Sequence, residues 1–499
     1  MATSEKPKTI KKQALIIGAG TGGYPCAIRL GQLGVDAMLV EKDKPGGVCL
    51  NVGCIPSKAL ISATKLYHKA QHAQEMGLSF GPPTVDMGKM QAWKAGVVKK
   101  LTTGVKGLVK GNGCEYVTAT ATFVDKKRVR LDYPDGTPPV EVEAEHIVIA
   151  TGSLPIEIPG FKIDQKRIVD STGALELDHV PKRMLCIGGG VIGLELGQTF
   201  QRLGTKLIVL EGLDRILGAC DRECAAVVAK QIKKDGGEIH TSAKAIGWQE
   251  RDGELIVRAE VAGRVQEFAT DIILVAVGRY PISKGFGLEK TGVALTDRGF
   301  IKVNERQETN IKGIYAVGDV VGQPMLAHKS SHEGEVVAEV IAGKKTINDA
   351  RTIPNVVFTE PEIASAGLDP DQAKEAGYEV HVGKFPFSVS GRAMAINETA
   401  GFVKVITDAK DDRVLGVHIV GPEASDLISE AALAIEMGAF AEDIALTVHP
   451  HPTLGEAVME AAKHALGEAV HVRANSPCCW AQLNLGSGGC WPERGDDLV

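Results

Sequence analysis

The sequence predicts an α/β chain in which one strand–turn–helix unit is nested inside another, with an α+β domain after them. Three observations predict it. A glycine-rich turn follows an apolar strand twice, at Gly18-Ala-Gly20-Thr-Gly-Gly23 and at Gly188-Gly-Gly190-Val-Ile-Gly193. In each copy a second strand leads to a glutamate, Glu41 or Glu211, 23 positions after the first glycine (18 to 41, 188 to 211). Each copy also closes on an apolar strand ending in a glycine turn, IVIATGS at 147–153 and ILVAVGR at 273–279.

Residues 13–18 form a continuous apolar run, which reads as a buried strand. A helix follows to about residue 34, then a strand at 36–40 and Glu41. The second copy repeats this with a strand at 184–187, a helix, and a strand at 206–210 before Glu211. A strand, a glycine turn, a helix and a second strand ending on an acid make a Rossmann-like dinucleotide-binding pattern. The economical arrangement puts one such domain at 153–280 inside another at 1–152 and 281–350. A third apolar strand, IYAVGD at 314–319, belongs to the outer one. From residue 351 the texture changes to hairpin-like strands, 401–406 and 414–420, followed by helices; this α+β domain runs to about 471. Residues 472–499 form an atypical tail without periodicity. The tail holds three of the ten cysteines and two of the four tryptophans.

Composition bounds the function. The 499 residues are 44% hydrophobic and 24% charged, an ordinary globular balance of about three domains. The 58 glycines against 5% aromatics suit tight turns around a phosphate-rich cofactor better than an aromatic-lined groove. A formal net charge of −6 with no Lys/Arg block argues against nucleic acid as a partner. The apolar runs are too short to span a bilayer. The polar N-terminus has no apolar core of a secretory signal, so a cytoplasmic location is expected. Cysteines in such a compartment point to catalysis or metal before a disulfide framework.

The glycines let the backbone approach a pyrophosphate at a helix N-terminus, where unpaired N–H groups and the helix dipole favour an anion. Glu41 and Glu211 can accept hydrogen bonds from ribose hydroxyls. The carboxylate of Glu211 would repel a 2′-phosphate, which favours NAD over NADP, although Arg215 lies nearby. Two dinucleotides in one chain imply hydride relay between them.

Downstream of Glu41 lies GGVCLNVGCIPSK, residues 46–58. Cys49 and Cys54 are five apart. If a helix starts here, its dipole lowers a thiolate pKa, as a redox pair needs. Spacing leaves two buried free thiols equally open; the neighbouring fingerprint favours the redox pair. No second Cys/His pair with ligand spacing supports zinc, so no metal site is expected. Near the end, HPHPTLGE at 449–456 places a His and a Glu five apart, fit for an oriented imidazole–carboxylate pair. A histidine-rich loop read alone is more often a capped turn than a base.

GGVCLNVGCIPSK resembles the active-site signature of the flavin-dependent pyridine nucleotide–disulfide oxidoreductases, over about residues 13–470. Within them the chain looks like the branch that oxidises dihydrolipoamide. The resemblance implies FAD at the first fingerprint (Gly18, Gly20, Gly23, Glu41) and NAD at the second (Gly188, Gly190, Gly193, Glu211, with Gly278). It implies a redox disulfide in which Cys49 meets substrate and Cys54 faces the flavin. Lys58 would sit by the flavin, paired with Glu195. Ala150, Thr151 and Gly152 match a flavin-contacting turn, Gly318 and Asp319 the motif that binds the ribityl chain, and His328 a segment near the flavin. His451 and Glu456 match the acid–base dyad, which in this family serves the cysteines of the other subunit of a homodimer, while His449 reads as structural. The C-terminal domain would then be the dimerisation domain. The implied reaction oxidises dihydrolipoamide, carried on a lipoyl domain, to lipoamide and reduces NAD⁺. The implied partner is the acyltransferase core of a 2-oxo acid dehydrogenase complex. The vicinal Cys478-Cys479 of the tail keeps one alternative open, a mercuric ion or other disulfide reductase using NAD(P)H. The remaining cysteines, Cys26, Cys114, Cys186 and the Cys220/Cys224 pair, read as structural.

Overall fold

A computed structural model describes residues 7–81 and 83–473. The leader and the tail cysteines Cys478, Cys479 and Cys490 lie outside these residues. The chain divides into two compact units. One runs through Ala219 and resumes over Ala229–Ala350; the other takes Cys220–Val228 and everything from Arg351.

The first unit opens with β1 (Lys8–Ile17), α1 (Gly23–Gln32) and β2 (Ala37–Glu41). Helices α2 (Gly47–Val52), α3 (Cys54–His72) and α4 (Met87–Gly111) follow, then strands β3 (Glu115–Thr118), β4 (Thr120–Phe123), β5 (Arg128–Asp132) and β6 (Val140–Ile149). The strands lie in the order β3-β2-β1-β6-β5-β4. Pairing is parallel from β3 to β6 and antiparallel beyond. The apolar half of β1, Ala14 to Ile17, is buried on both faces, as expected of a parallel strand covered on each side.

The chain then passes through β7 (Ser153–Pro155), β8 (Ile168–Val169), α5 (Ser171–Leu175), β9 (Arg183–Ile187), α6 (Val191–Arg202), β10 (Lys206–Leu210), α7 (Arg222–Lys234) and β11 (Glu238–His240). An antiparallel meander of β12 (Ala243–Arg251), β13 (Glu254–Val261) and β14 (Arg264–Thr270) precedes β15 (Ile272–Val275). The second parallel sheet runs β11-β10-β9-β15-β8. It repeats the first: the fingerprint strand (β1 or β9) sits between the acid-bearing strand (β2 or β10) and the closing strand (β6 or β15). The chain returns through β16 (Arg279–Pro281), which forms an antiparallel ribbon with β7. Strand β17 (Ile314–Ala316) joins the first sheet beside β6, and α8 (Ala327–Ile341) follows.

In the second unit β18 (Asn355–Val357), β19 (Glu362–Gly367), α9 (Pro370–Glu375), β20 (Val380–Pro386), α10 (Gly391–Ala395), β21 (Phe402–Asp408) and β22 (Val414–Gly421) precede α11 (Ala424–Met437), α12 (Ala441–Leu446) and α13 (Glu456–Ala465). The five strands form an antiparallel sheet, β18-β19-β22-β21-β20. Apolar faces of α11 and α13 cover it through Ile428, Ala431, Val458 and Ala461. Within this unit the buried Lys404 ammonium lies 2.8 Å from Asp221 and also pairs with Glu223. Removing one partner of such a buried pair costs about 3–5 kcal/mol. Cys224 lies on α7 but Cys220 precedes the helix, so the two do not share a helix face; both are buried.

Candidate active site

Two glycine turns leave their strands in the same way. Gly18 and Gly188 have φ of +103° and +106°, a region that favours glycine. A Cβ on either would strike a carbonyl oxygen at the end of the closing strand, Ala150 or Ala276. A Cβ on Gly23 or Gly193 would strike the carbonyl of Gly18 or Gly188, so the third glycine lets the helix seat on its strand. The middle glycines face open space: the nearest atom to a Cβ on Gly20 is 3.9 Å away, and none lies within 4 Å at Gly190. Neither α1 nor α6 is capped by a side chain at its start. With no side-chain cap the helix dipole at each start is open to an anion, and a pyrophosphate fits each cradle.

The two acids do more than face a ribose. Glu41 accepts the Ala19 N–H at 2.7 Å and the Asp43 N–H at 2.9 Å. Glu211 accepts the Gly189 N–H at 2.7 Å and the Leu213 N–H at 2.7 Å. Each acid braces its own fingerprint turn, and each such charge-assisted bond contributes roughly 1.5–3 kcal/mol. A carboxylate accepts about four hydrogen bonds, so both retain capacity for hydroxyls.

Cys49 lies in α2 and Cys54 is the first residue of α3; they are joined as a disulfide with Cα atoms 4.6 Å apart. Both are half-buried. Pro56 falls in the first turn of α3, where its missing N–H costs no intrahelical bond. No side chain caps α3, so its N-terminal N–H groups favour a thiolate on Cys54. One turn further on, Lys58 extends its ammonium to within 2.8 Å of Glu195 on α6. The Glu195 side chain is 6% exposed and that of Lys58 31%.

The carboxylate of Asp319 accepts the Ser153 hydroxyl at 2.5 Å, and the Arg279 guanidinium donates to both the hydroxyl and the carbonyl of Ser153 at 2.7 Å. Thr151 donates to the Ile282 carbonyl at 2.6 Å. These bonds tie the ATG turn, the β7–β16 ribbon and Asp319 together. Sequence reasoning passed over a second support. Lys329 and Glu333 of α8 form a buried ion pair at 3.1 Å; Lys329 donates to the Gly318 and Gly322 carbonyls while Glu333 accepts the Gly318 N–H at 2.7 Å. Burial pushes the Glu333 carboxyl up from its ordinary range. Four residues apart on a helix, such a pair looks like a surface pair in sequence. His328 is exposed in the first turn of α8, and Gly278, at φ +130°, follows β15.

In the second unit, His451 Nδ1 lies 2.9 Å from Glu456 Oε1, and the Thr453 N–H donates to Glu456 Oε2 at 2.8 Å. A carboxylate only accepts, so Nδ1 carries the proton and Nε2 is left as the basic nitrogen. Burial alone would raise the Glu456 carboxyl. The Thr453 N–H and the adjacent His451 and His449 outweigh it, and the group is held below its ordinary value. The His451 side chain is 78% exposed and free to meet a ligand.

Other cysteines are inert by comparison. Cys26 and Cys186 are fully buried, and burial pushes both thiols up, Cys186 to about 12. The Cys114 thiol donates to the Ala37 carbonyl at 3.2 Å.

A family model described as pyridine nucleotide-disulphide oxidoreductase matches residues 12–334, and the corresponding dimerisation domain matches residues 353–462. The chain belongs to the pyridine nucleotide-disulphide oxidoreductase family. A dihydrolipoyl dehydrogenase from Geobacillus stearothermophilus is 49% identical over 463 residues, 93% of this chain and 98% of that protein. One from Haloferax volcanii is 48% identical over 462 residues, 92% and 97% of the two chains. Among solved structures, the Cu(II) complex of the HOCl-induced flavoprotein disulfide reductase RclA from Escherichia coli matches with a TM-score of 0.81 at 27% identity, over 91% of this chain and 99% of that one. LpdA from Mycobacterium tuberculosis, at 24% identity, shares the fold with a TM-score of 0.84, over 90% and 99%.

Members of this oxidoreductase family work with FAD and NAD(H), and the two cradles fit these dinucleotides. The dimerisation-domain match supports a homodimer. In such an enzyme Lys58→Met removes the positive charge that Glu195 holds in place. If Lys58 lies by the flavin, as the resemblance implies, the bound flavin becomes harder to reduce, and anaerobic titration with NADH needs a larger excess to bleach its absorbance. An unchanged titration curve would remove Lys58 from the site.

Proposed function

We propose that this chain oxidises dihydrolipoamide to lipoamide and reduces NAD⁺, with FAD and the Cys49–Cys54 disulfide between them. The observation that carries the reading is that disulfide, set at the start of α3 one turn from the Lys58–Glu195 pair. The near-full-length similarity to dihydrolipoyl dehydrogenases favours lipoamide over mercuric ion as the substrate.

His451 Nε2 takes a proton from one substrate thiol. The thiolate attacks Cys49 Sγ; the Cys49–Cys54 bond breaks and Cys54 leaves as a thiolate. The second substrate thiol gives its proton to solvent and attacks the sulfur joined to Cys49, closing the lipoamide disulfide, while the freed Cys49 takes back the proton held by His451. Two electrons then rest on the cysteine pair. Glu456 holds the imidazole in the tautomer that accepts at Nε2 and stabilises the imidazolium that forms. FAD, when bound, accepts these electrons and supplies hydride to the pyridine nucleotide. Residues 1–152 and 281–350 would hold the FAD, through Gly18, Gly20, Gly23, Glu41, the Ala150–Gly152 turn and Asp319. Residues 153–280 would hold the NAD, through Gly188, Gly190, Gly193, Glu211 and Gly278. The dyad of one subunit serves the disulfide of the other in the homodimer, and the lipoyl arm comes from an acyltransferase partner. The buried cysteines outside that disulfide, Cys26, Cys114, Cys186, Cys220 and Cys224, suit a reducing cytoplasm.

The test is NAD⁺ reduction by dihydrolipoamide on purified, flavin-loaded protein, with NADP⁺ in parallel. Fast turnover with NAD⁺ alone is expected. Turnover with neither acceptor would exclude the lipoamide reading. In Glu211→Gln, kcat/KM for NAD⁺ falls by roughly tenfold or more, since the acid loses charge-assisted bonds. The preference over NADP⁺ narrows as the repulsive charge disappears. An unaltered preference would move nucleotide selection elsewhere.

A further inference from the structure

His449, two residues before the dyad, is not a passive turn residue. Its side chain is 7% exposed. Nδ1 lies 2.8 Å from the Thr447 carbonyl oxygen and Nε2 lies 2.8 Å from Glu430 Oε1 on α11. A neutral imidazole has one donor and one acceptor nitrogen. Here both nitrogens face acceptors, because a carbonyl and a carboxylate have no proton to give. Both bonds stand only if the His449–Glu430 pair holds one proton more than a neutral ring beside a carboxylate. The Glu430 side chain is 38% exposed, so its ionised form is solvated and the proton belongs on the ring.

We propose that His449 is a fixed imidazolium, a positioning residue that acts through His451 and Glu456. The second histidine–carboxylate pair is interleaved with the first. The His449 ring packs on Gly455, whose Cβ would lie 3.6 Å from His449 Cδ2, and Gly455 is the residue before Glu456. Thr447, which receives the Nδ1 proton, is anchored by its own hydroxyl to the Asp443 carbonyl at 2.7 Å. On the other side Thr453 bridges to the Pro450 carbonyl at 2.8 Å and to Glu456. The loop is therefore pinned to α11 and α12 at its start and to α13 at its end, with His451 between the pins. The charge on His449 contributes twice. It makes the bond to Glu430 charge-assisted, and it helps keep Glu456 ionised, the state in which Glu456 orients His451. Among the described residues, the charged and titratable groups facing the ring are Glu430 on α11, His451 on the loop and Glu456 at the start of α13.

The inference rests on His451 being the base, and its test is chosen to be independent of turnover. The flavin-loaded homodimer is labelled with ¹⁵N-histidine, and the His449 signals are assigned by their loss in His449→Gln. Both ring nitrogens are expected at protonated, donor-type shifts, because both face acceptors. In Glu430→Gln the amide can donate to Nε2, so one nitrogen moves to the acceptor-type shift of a neutral ring. Dihydrolipoamide oxidation in that variant falls by roughly tenfold to a hundredfold in kcat, the cost of misaiming a reacting group by about 1 Å. Its FAD content and its reduction by NADH stay at wild-type level. A neutral His449 ring in the wild-type protein overturns the proposal even if dihydrolipoamide turnover is fast. A failed turnover with a charged ring overturns the substrate reading instead.

Discussion

Cys49→Ser abolishes oxidation of dihydrolipoamide while leaving the bound flavin reducible by NADH. The direction of thiol exchange follows from where the two sulfurs sit. Cys54 opens α3, a helix with no side-chain cap, and Lys58 follows one turn on. Exposed helix N–H groups and a nearby ammonium stabilise a thiolate at Cys54, and the more stable thiolate is the better leaving group. Substrate attack therefore falls on Cys49 and expels Cys54. With serine at 49 no disulfide exists to be attacked, and steady-state turnover drops to background. Cys54, proposed to face the flavin, remains as a thiolate and keeps a long-wavelength absorbance without oxidised substrate being released. Cys54→Ser loses turnover as well, but without that absorbance. The two variants together separate the exchange sulfur from the flavin-side sulfur. Retained dihydrolipoamide turnover in Cys49→Ser would place the chemistry elsewhere in the chain.

The cradles were legible in sequence because their constraints are local. The φ required at Gly18 and Gly188, the apolar runs of β1 and β9, and the acids at the ends of β2 and β10 all lie within about 25 residues of one another. The strand expected at 206–210 coincides with β10. The strand expected to begin at 13 begins at Lys8, since its first half alternates exposed and half-buried residues and carries three lysines, which hides it from an apolar-run criterion. The three-residue ribbon strands β7 and β16 are too short to show any period, and so the Arg279–Ser153–Asp319 bonds that depend on them were not foreseen. Lys58 and Glu195 are 137 positions apart; no spacing rule joins them, and only family resemblance did. The bracing of each fingerprint by its own glutamate was also hidden. Sequence shows that an acid is present but not which N–H groups it meets.

His451→Gln lowers kcat by roughly 10²–10⁴-fold, the usual contribution of a positioned general base. Glutamine can still donate to Glu456, so the loop and the Thr453 contact to Glu456 need not change. It offers no basic nitrogen, and the substrate thiol must lose its proton to water. The defect should therefore shrink as pH rises toward the thiol's own ionisation, where thiolate is present without a base. Glu456 does not share this behaviour. Its carboxyl is held below the ordinary value, so it is ionised at neutral pH. The sign follows: a carboxyl depressed in the folded state contributes its stabilisation above its unfolded pKa and loses it as pH falls through the lower, folded value. His451→Gln thus removes the base itself, whereas Glu456→Gln removes only the group that orients it, and turnover in Glu456→Gln falls less. A rate near wild type in His451→Gln at neutral pH would remove His451 as the base.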